Sequence, residues 1–270
     1  MNMHVFDEAI ALQAQDDGSF TGQTHAGYAN MVGPFGGTTA AQMLQAVLQH
    51  PERLGDPVSL TVNFCAAVAD GAFTLQARPA RTNRSTQHWT IELLQDDLVV
   101  MTATALTAVR RETWSTDELT MPAAKPPQDT PLPEQHTAPM AFVQRYELRV
   151  VGGGFPTEWN GGDSGTSLTQ LWLRDNPPRP LDFASLASMS DIFFPRIIVR
   201  RASPTPVGTV SMTIYFHADS AALARTGTGY LLGQARGQAF HNGFFDQTAQ
   251  LWNEAGELLV TTHQIVYYKS

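Results

Sequence analysis

The sequence is short of several things, and each shortage removes a class of function. It has one cysteine, Cys65, in 270 residues, so no intrachain disulfide can form and nothing asks for an oxidising compartment. Charged residues are only 16% of the chain, and the formal net charge is −8. There is no basic stripe to neutralise phosphates, which argues against a nucleic-acid partner. The pairs Arg110-Arg111 and Arg200-Arg201 are too isolated to supply one. No run approaches the roughly 18 apolar residues that span a bilayer, so no membrane partner is expected. The start, Met1-Asn2-Met3-His4-Val5-Phe6-Asp7, lacks the basic end and apolar run of a signal peptide. A cytoplasmic location is the expectation.

Familiar catalytic signatures are missing as well. No Gly-x-Ser-x-Gly elbow occurs, which disfavours an α/β-hydrolase. Gly162-Asp163-Ser164-Gly165 is similar to a protease nucleophile sequence, but it continues Thr166-Ser167 and its flanks do not fit. The eight histidines form no His-Glu-x-x-His pattern, so no metal and no cofactor are implied. Gly152-Gly153-Gly154 lacks the later glycine of a dinucleotide fingerprint. Cys65, beside Phe64, reads as a small strand residue rather than a nucleophile.

What is present is an internal repeat. Apolar residues make up 43% of the chain, enough for a sizeable core, and the length suits two small domains. Pro57-Val58-Ser59-Leu60-Thr61-Val62-Asn63-Phe64 resembles Thr209-Val210-Ser211-Met212-Thr213-Ile214-Tyr215-Phe216, with Val58 and Val210 separated by 152 residues. Leu98-Val99-Val100-Met101-Thr102 resembles Leu258-Leu259-Val260-Thr261-Thr262 at a separation of 160. Both alternate small polar with apolar residues, the period of a half-buried strand.

Each copy carries a helix upstream of its strands. Gly36-Gly37 opens a run with Ala40, Met43, Leu44, Val47 and Leu48 apolar, stopped by Pro51. Asp182 can cap a second run with Phe183, Leu186, Ala187 and Met189 apolar, stopped by Pro195. Strands are expected near 57–66, 72–80, 86–95 and 98–109, and again near 209–218, 229–240, 244–253 and 257–268. Residues 142–151 and 166–173 read as extra strands that begin the second copy. Six prolines between 122 and 139 mark a linker. The expected division is 1–111, a linker over 112–139, and 140–270.

One long helix wrapped by an antiparallel sheet, twice in one chain, resembles the TesB-like acyl-CoA thioesterases. The resemblance rests on Gly36-Gly37 at a helix start and on Arg81-Thr82-Asn83-Arg84-Ser85-Thr86 between strands. In the second copy it rests on Ser190-Asp191, on the strand from Thr209 to His217, and on Thr262-His263-Gln264. It implies an α+β fold of two tandem hotdog domains, an acyl-CoA substrate and a homo-oligomer. It also implies that Asp191, Thr209 and Gln264 hold the attacking water. Gly36, Gly37, Arg84 and His217 are then substrate-binding candidates: the helix N-terminus polarises the thioester carbonyl, Arg84 meets CoA phosphate, and His217 lines the mouth.

The chemistry asks for such groups. Thioester hydrolysis needs a water that is oriented and deprotonated, and an oxyanion that is stabilised. Asp191, expected in the last helical turn beside Ile192, Phe193 and Phe194, would have its pKa raised by the helix dipole and by desolvation. Thr209 and Gln264 do not titrate usefully and would fix the water by hydrogen bonds. Two other functions fit the same pattern at this point. One is a hotdog hydratase or dehydratase, although no histidine follows Asp191 closely. The other is an acyl-binding protein without a water site.

Overall fold

Alternation of small polar and apolar residues produces strands close to where the pattern places them. The computed structural model describes residues 3–133 and 140–269. The first half contains α1 (Val5–Ala9), β1 (Gln13–Ala14), β2 (Phe20–Gln23), α2 (Gly36–Leu48), β3 (Asp56–Phe64), β4 (Ala72–Thr82), β5 (Thr86–Gln95) and β6 (Leu98–Ala108). The second contains β7 (Tyr146–Gly152), β8 (Thr169–Asp175), α3 (Phe183–Met189), α4 (Arg196–Arg201), β9 (Val207–Phe216), α5 (Ser220–Thr226), β10 (Leu231–Arg236), β11 (Phe240–His241), β12 (Phe244–Asn253) and β13 (Leu258–Tyr268). The short elements α1, β1, β2, α4, α5 and β11 have no counterpart in the periodicity.

The strands form one antiparallel sheet in the order β1-β2-β4-β5-β6-β3-β9-β13-β12-β10-β8-β7, with β11 paired to β12. The two halves join where β3 pairs with β9. Thr61 faces Thr213 there, their hydroxyls 3.1 Å apart. These two residues are 152 positions apart, so the sequence repeat and a pseudo-twofold axis coincide. Both copies even interrupt the ladder at the equivalent valine: the bulges fall at Val58 and at Val210. Leu60 pairs with Ala105 and Met212 with Gln264. The later strands therefore correspond at a separation of 159 rather than 160, because a run of Leu and Val can slide by one until pairing fixes it.

The two core helices, α2 and α3, lie on one face of the sheet and pack against each other within a single apolar core. α2 is buried almost all round, including Thr38, Thr39 and Gln42; a helix between a sheet and a second helix has no solvent face. α3 is capped as expected, Asp182 accepting from the Ser185 N–H at 2.8 Å, but it is only 7 residues long. The expectation of one long helix per copy thus fails for the second. The Ser190 hydroxyl donates to the Leu186 carbonyl at 2.8 Å, competing with the backbone ladder. Pro195 then forces Phe194 out of helical geometry and restarts the chain as α4.

Of the expected linker, residues 134–139 lie outside the described residues. Part of the remainder is docked on the second half. The Trp172 indole donates to the Lys125 carbonyl at 2.7 Å, and Arg149 donates to the Thr130 carbonyl at 2.7 Å.

Candidate active site

The end of α3 is aimed at the start of α2. A Cβ added to Gly37 would stand 2.4 Å from the Ser188 carbonyl oxygen, and one on Gly36 would stand 2.9 Å from Asp191 Oδ2. Only glycine lets the two helix ends meet this closely. The glycine pair that the sequence singled out is therefore needed for helix-on-helix approach, and what approaches it is a carboxyl group.

Asp191 lies two residues beyond α3, not in its last turn. Its Oδ1 accepts a hydrogen bond of 2.8 Å from Gln264 Nε2 on β13, and the same nitrogen lies 3.2 Å from Met212 Sδ. By accessible surface the residue is only partly buried, whereas its carboxyl is packed about on every side. The packing governs proton affinity, because desolvation acts at the carboxyl itself. Burial raises its pKa to about 7, while the Gln264 hydrogen bond and the Gly37 N–H pull in the opposite direction. The rise expected from burial is present, and against it stands the positive start of α2, whose Gly37 N–H favours the ionised form.

A titrating carboxyl near neutrality, an amide fixed on it, and the first N–H groups of a helix now converge. Those N–H groups have no carbonyl partner inside the helix. Comparison with known proteins places the chain that carries them. Residues 25–108 match the acyl-CoA thioesterase N-terminal domain, and residues 122–268 match the acyl-CoA thioesterase C-terminal domain. The chain belongs to the acyl-CoA thioesterase family. A hotdog-fold protein of unknown function from Alicyclobacillus acidocaldarius is 48% identical, with TM-score 0.94, covering 100% of this chain and 99% of its own. The acyl-CoA thioesterase II TesB2 of Mycobacterium marinum is 18% identical, with TM-score 0.75 and 98% of each chain covered. The tesB protein of Mycobacterium avium subs paratuberculosis is 19% identical, with TM-score 0.77 and 98% of each chain covered. At those identities the last two share the fold. No sequence match is found among curated proteins. The double hotdog read from the sequence is the fold, and among the described residues no helix is long and apolar enough to cross a membrane.

Within this thioesterase-family chain the remaining candidates separate. Thr209 pairs with Val266, and the bulge at Val210 turns it onto the face that carries Gln264. Simple alternation from Met212 would have sent it outward. It stands two residues along β13 from Gln264, about 7 Å, and its hydroxyl bonds to neither Asp191 nor Gln264 among the described residues. His217 does not line a mouth: alternation from Phe216 sends its ring to the outer face, where Nε2 lies 3.0 Å from Thr261 Oγ1. Arg84 is also away from Asp191. It sits exposed at the β4–β5 turn, and β5 lies four strands from β13.

Sequence reasoning missed Met212 beside the Gln264 amide, and it missed Gln247. Gln247 pairs with Gln264 on the interior face and is 3% exposed. The signal was available for Gln247: Phe245, Gln247, Ala249 and Leu251 alternate as an inward row with one amide in it.

Proposed function

We propose that this protein hydrolyses acyl-CoA thioesters to the free acid and CoA, with a water held by Asp191, Thr209 and Gln264. Asp191 accepts the proton from that water as its oxygen attacks the thioester carbonyl carbon. The Gln264 amide orients the carboxyl and presents its free Oε1 to the water; the Thr209 hydroxyl approaches from the same sheet face. The carbonyl oxygen becomes an oxyanion in front of the α2 N-terminus, where backbone N–H groups and the helix dipole favour negative charge. Collapse breaks the C–S bond, and the departing thiolate takes the proton back from Asp191.

One observation carries this reading: a carboxyl with its pKa raised to about 7, bound by the Gln264 amide and facing a glycine-opened helix N-terminus. A base with that proton affinity is half ionised at neutral pH, the range in which general-base catalysis is most effective. Family membership supplies the substrate class. The test is thiol release from acyl-CoA thioesters of graded chain length by the purified protein. Turnover of at least one member, lost in Asp191→Asn, is the expected result. Absence of thiol release from all of them sinks the proposal.

A further inference from the structure

The pseudo-twofold relation between the halves makes each site position comparable with its counterpart. The first-half counterparts of Met212, Gln264 and Gln247 are Leu60, Ala105 and Trp89, aligned by the strand pairings. The Trp89 indole is 1% exposed, donates to Thr107 Oγ1 at 3.2 Å and is abutted edge-on by His50. In the first half, then, the equivalent space is filled with packed aromatic carbon. In the second half it is lined by residues that are mostly smaller. Gln247 replaces Trp89, Ala249 replaces Ile91, and Gly233 replaces Leu75, with the Phe193 ring and the Leu251 side chain against Gly233.

Gln247 stands in that thinned region. It is directly opposite Gln264 across the β12–β13 pair, about 5 Å between Cα atoms, and points to the same interior face. Its side chain enters none of the side-chain hydrogen bonds among the described residues. Neither of its amide atoms is among the fully enclosed side-chain atoms that lack a partner, so the amide borders space that a water or a ligand group can enter and bond. Beyond it the interior is closed by Phe193 and by the cluster of Ile197, Phe245 and Val266.

We propose that Gln247 contacts the acyl group and selects acyl chains that carry an oxygen substituent, hydroxyl or keto, at C3. The inference rests on the thioesterase reading. The carbonyl carbon must lie at the water held by Asp191 and Gln264, so an oxygen on C3, three bonds from that carbon, reaches most of the way across one strand spacing and comes within hydrogen-bond reach of the Gln247 amide. The arm that faces Gln247 is the acyl arm because that end of the space is closed, while the pantetheine arm has to leave toward solvent. An unsubstituted chain strips water from the amide and returns nothing; a C3 oxygen bonds it.

The test compares butyryl-CoA with 3-hydroxybutyryl-CoA in the wild type and in Gln247→Leu. The wild type is expected to favour the hydroxylated substrate in kcat/KM by about tenfold or more. Gln247→Leu is expected to bring the ratio to about one while leaving Tm unchanged or raised. A wild-type ratio near one overturns the proposal. An equal fall for both substrates overturns it too, since that would mean contact with pantetheine or a packing role. A Tm loss in both Gln247→Leu and Gln247→Met also overturns it, because it would mean the amide has partners inside the protein. If the wild type releases thiol from neither compound, its Kd for the same pair by calorimetry decides. A retained preference keeps Gln247 as an acyl-selecting residue and sinks hydrolysis alone; equal Kd values sink the role of Gln247.

Discussion

Replacing Asp191 with Asn should abolish hydrolysis and stabilise the protein, with the gain appearing only above acidic pH. The substitution keeps Oδ1, which accepts from Gln264 Nε2, so the local packing has no reason to move. What changes is the proton. The Asp191 pKa rises from 3.8 in the reference state to about 7 in the fold. Between those values the folded state holds a proton that the unfolded chain releases. The contribution of Asp191 is therefore fully present below about pH 4 and is lost as pH rises through 7. At one pKa step per 1.4 kcal/mol, and discounted because the residue keeps some accessible surface, the ionised carboxylate costs on the order of 2–4 kcal/mol at pH 8. Asp191→Asn never makes that charge. Thermal unfolding at pH 4 should show little difference between variant and wild type, and at pH 8 the variant should melt several degrees higher. Thiol release by the variant should fall by about 10²–10⁴. Wild-type hydrolysis in Asp191→Asn removes the group from the mechanism. A melting difference that does not grow from pH 4 to pH 8 refutes the claim that burial raises its pKa.

Other perturbations follow from the same geometry. Gln264→Met removes a hydrogen bond that lowers the Asp191 pKa, so the acid limb of the kcat/KM profile should move above pH 7 and the rate should drop about a hundredfold; an unmoved limb refutes the coupling. Gly37→Ala places a Cβ 2.4 Å from the Ser188 carbonyl, so the helix ends must separate and unfolding free energy should fall by about 1–3 kcal/mol, where an ordinary helical Gly→Ala change would raise it. Arg196 is fully buried, and Nη1 donates to the Ser167 carbonyl and Thr169 Oγ1, each at 2.8 Å, and to the Ala235 carbonyl at 3.2 Å. Arg196→Met should orphan those acceptors together and lower stability by on the order of 3 kcal/mol, which denaturant titration would measure.

The architecture was legible because strands and their repeat are written in local alternation. The pairing of Pro57–Phe64 with Thr209–Phe216 coincides with the axis between the halves, and every main strand lies within a few residues of its expected place. What local pattern could not supply was the length of α3. The apolar spacing from Phe183 to Met189 continues acceptably to Asp191, and nothing in periodicity reports that Ser190 turns its hydroxyl back on Leu186. Short pieces such as α1, β1 and β2 escaped for a related reason. Few residues carry no period, and these are held by tertiary contacts; the Phe6 ring, for example, packs edge-on against Tyr28 at 5.9 Å.

The site shows how far reading one strand at a time can go. The family resemblance names Asp191, Gln264 and the glycine pair, and each also stands out against its own element: a carboxyl beyond a helix end, an amide on an apolar face, two glycines opening a helix. Thr209 could not be oriented that way, because the bulge at Val210 reverses its face, and a bulge is a property of the pair β9–β13. His217 fails for the mirror reason: its place next to Phe216 is legible, but the outward turn follows from which alternate residues the sheet buries. The strongest asymmetry of the molecule is likewise visible only between halves. One interior face buries Trp89, Ile91 and Leu75 where the other has Gln247, Ala249 and Gly233. A repeat of the same fold in one chain frees one copy to be solid apolar core while the other buries two amides, Gln247 and Gln264, on the matching face.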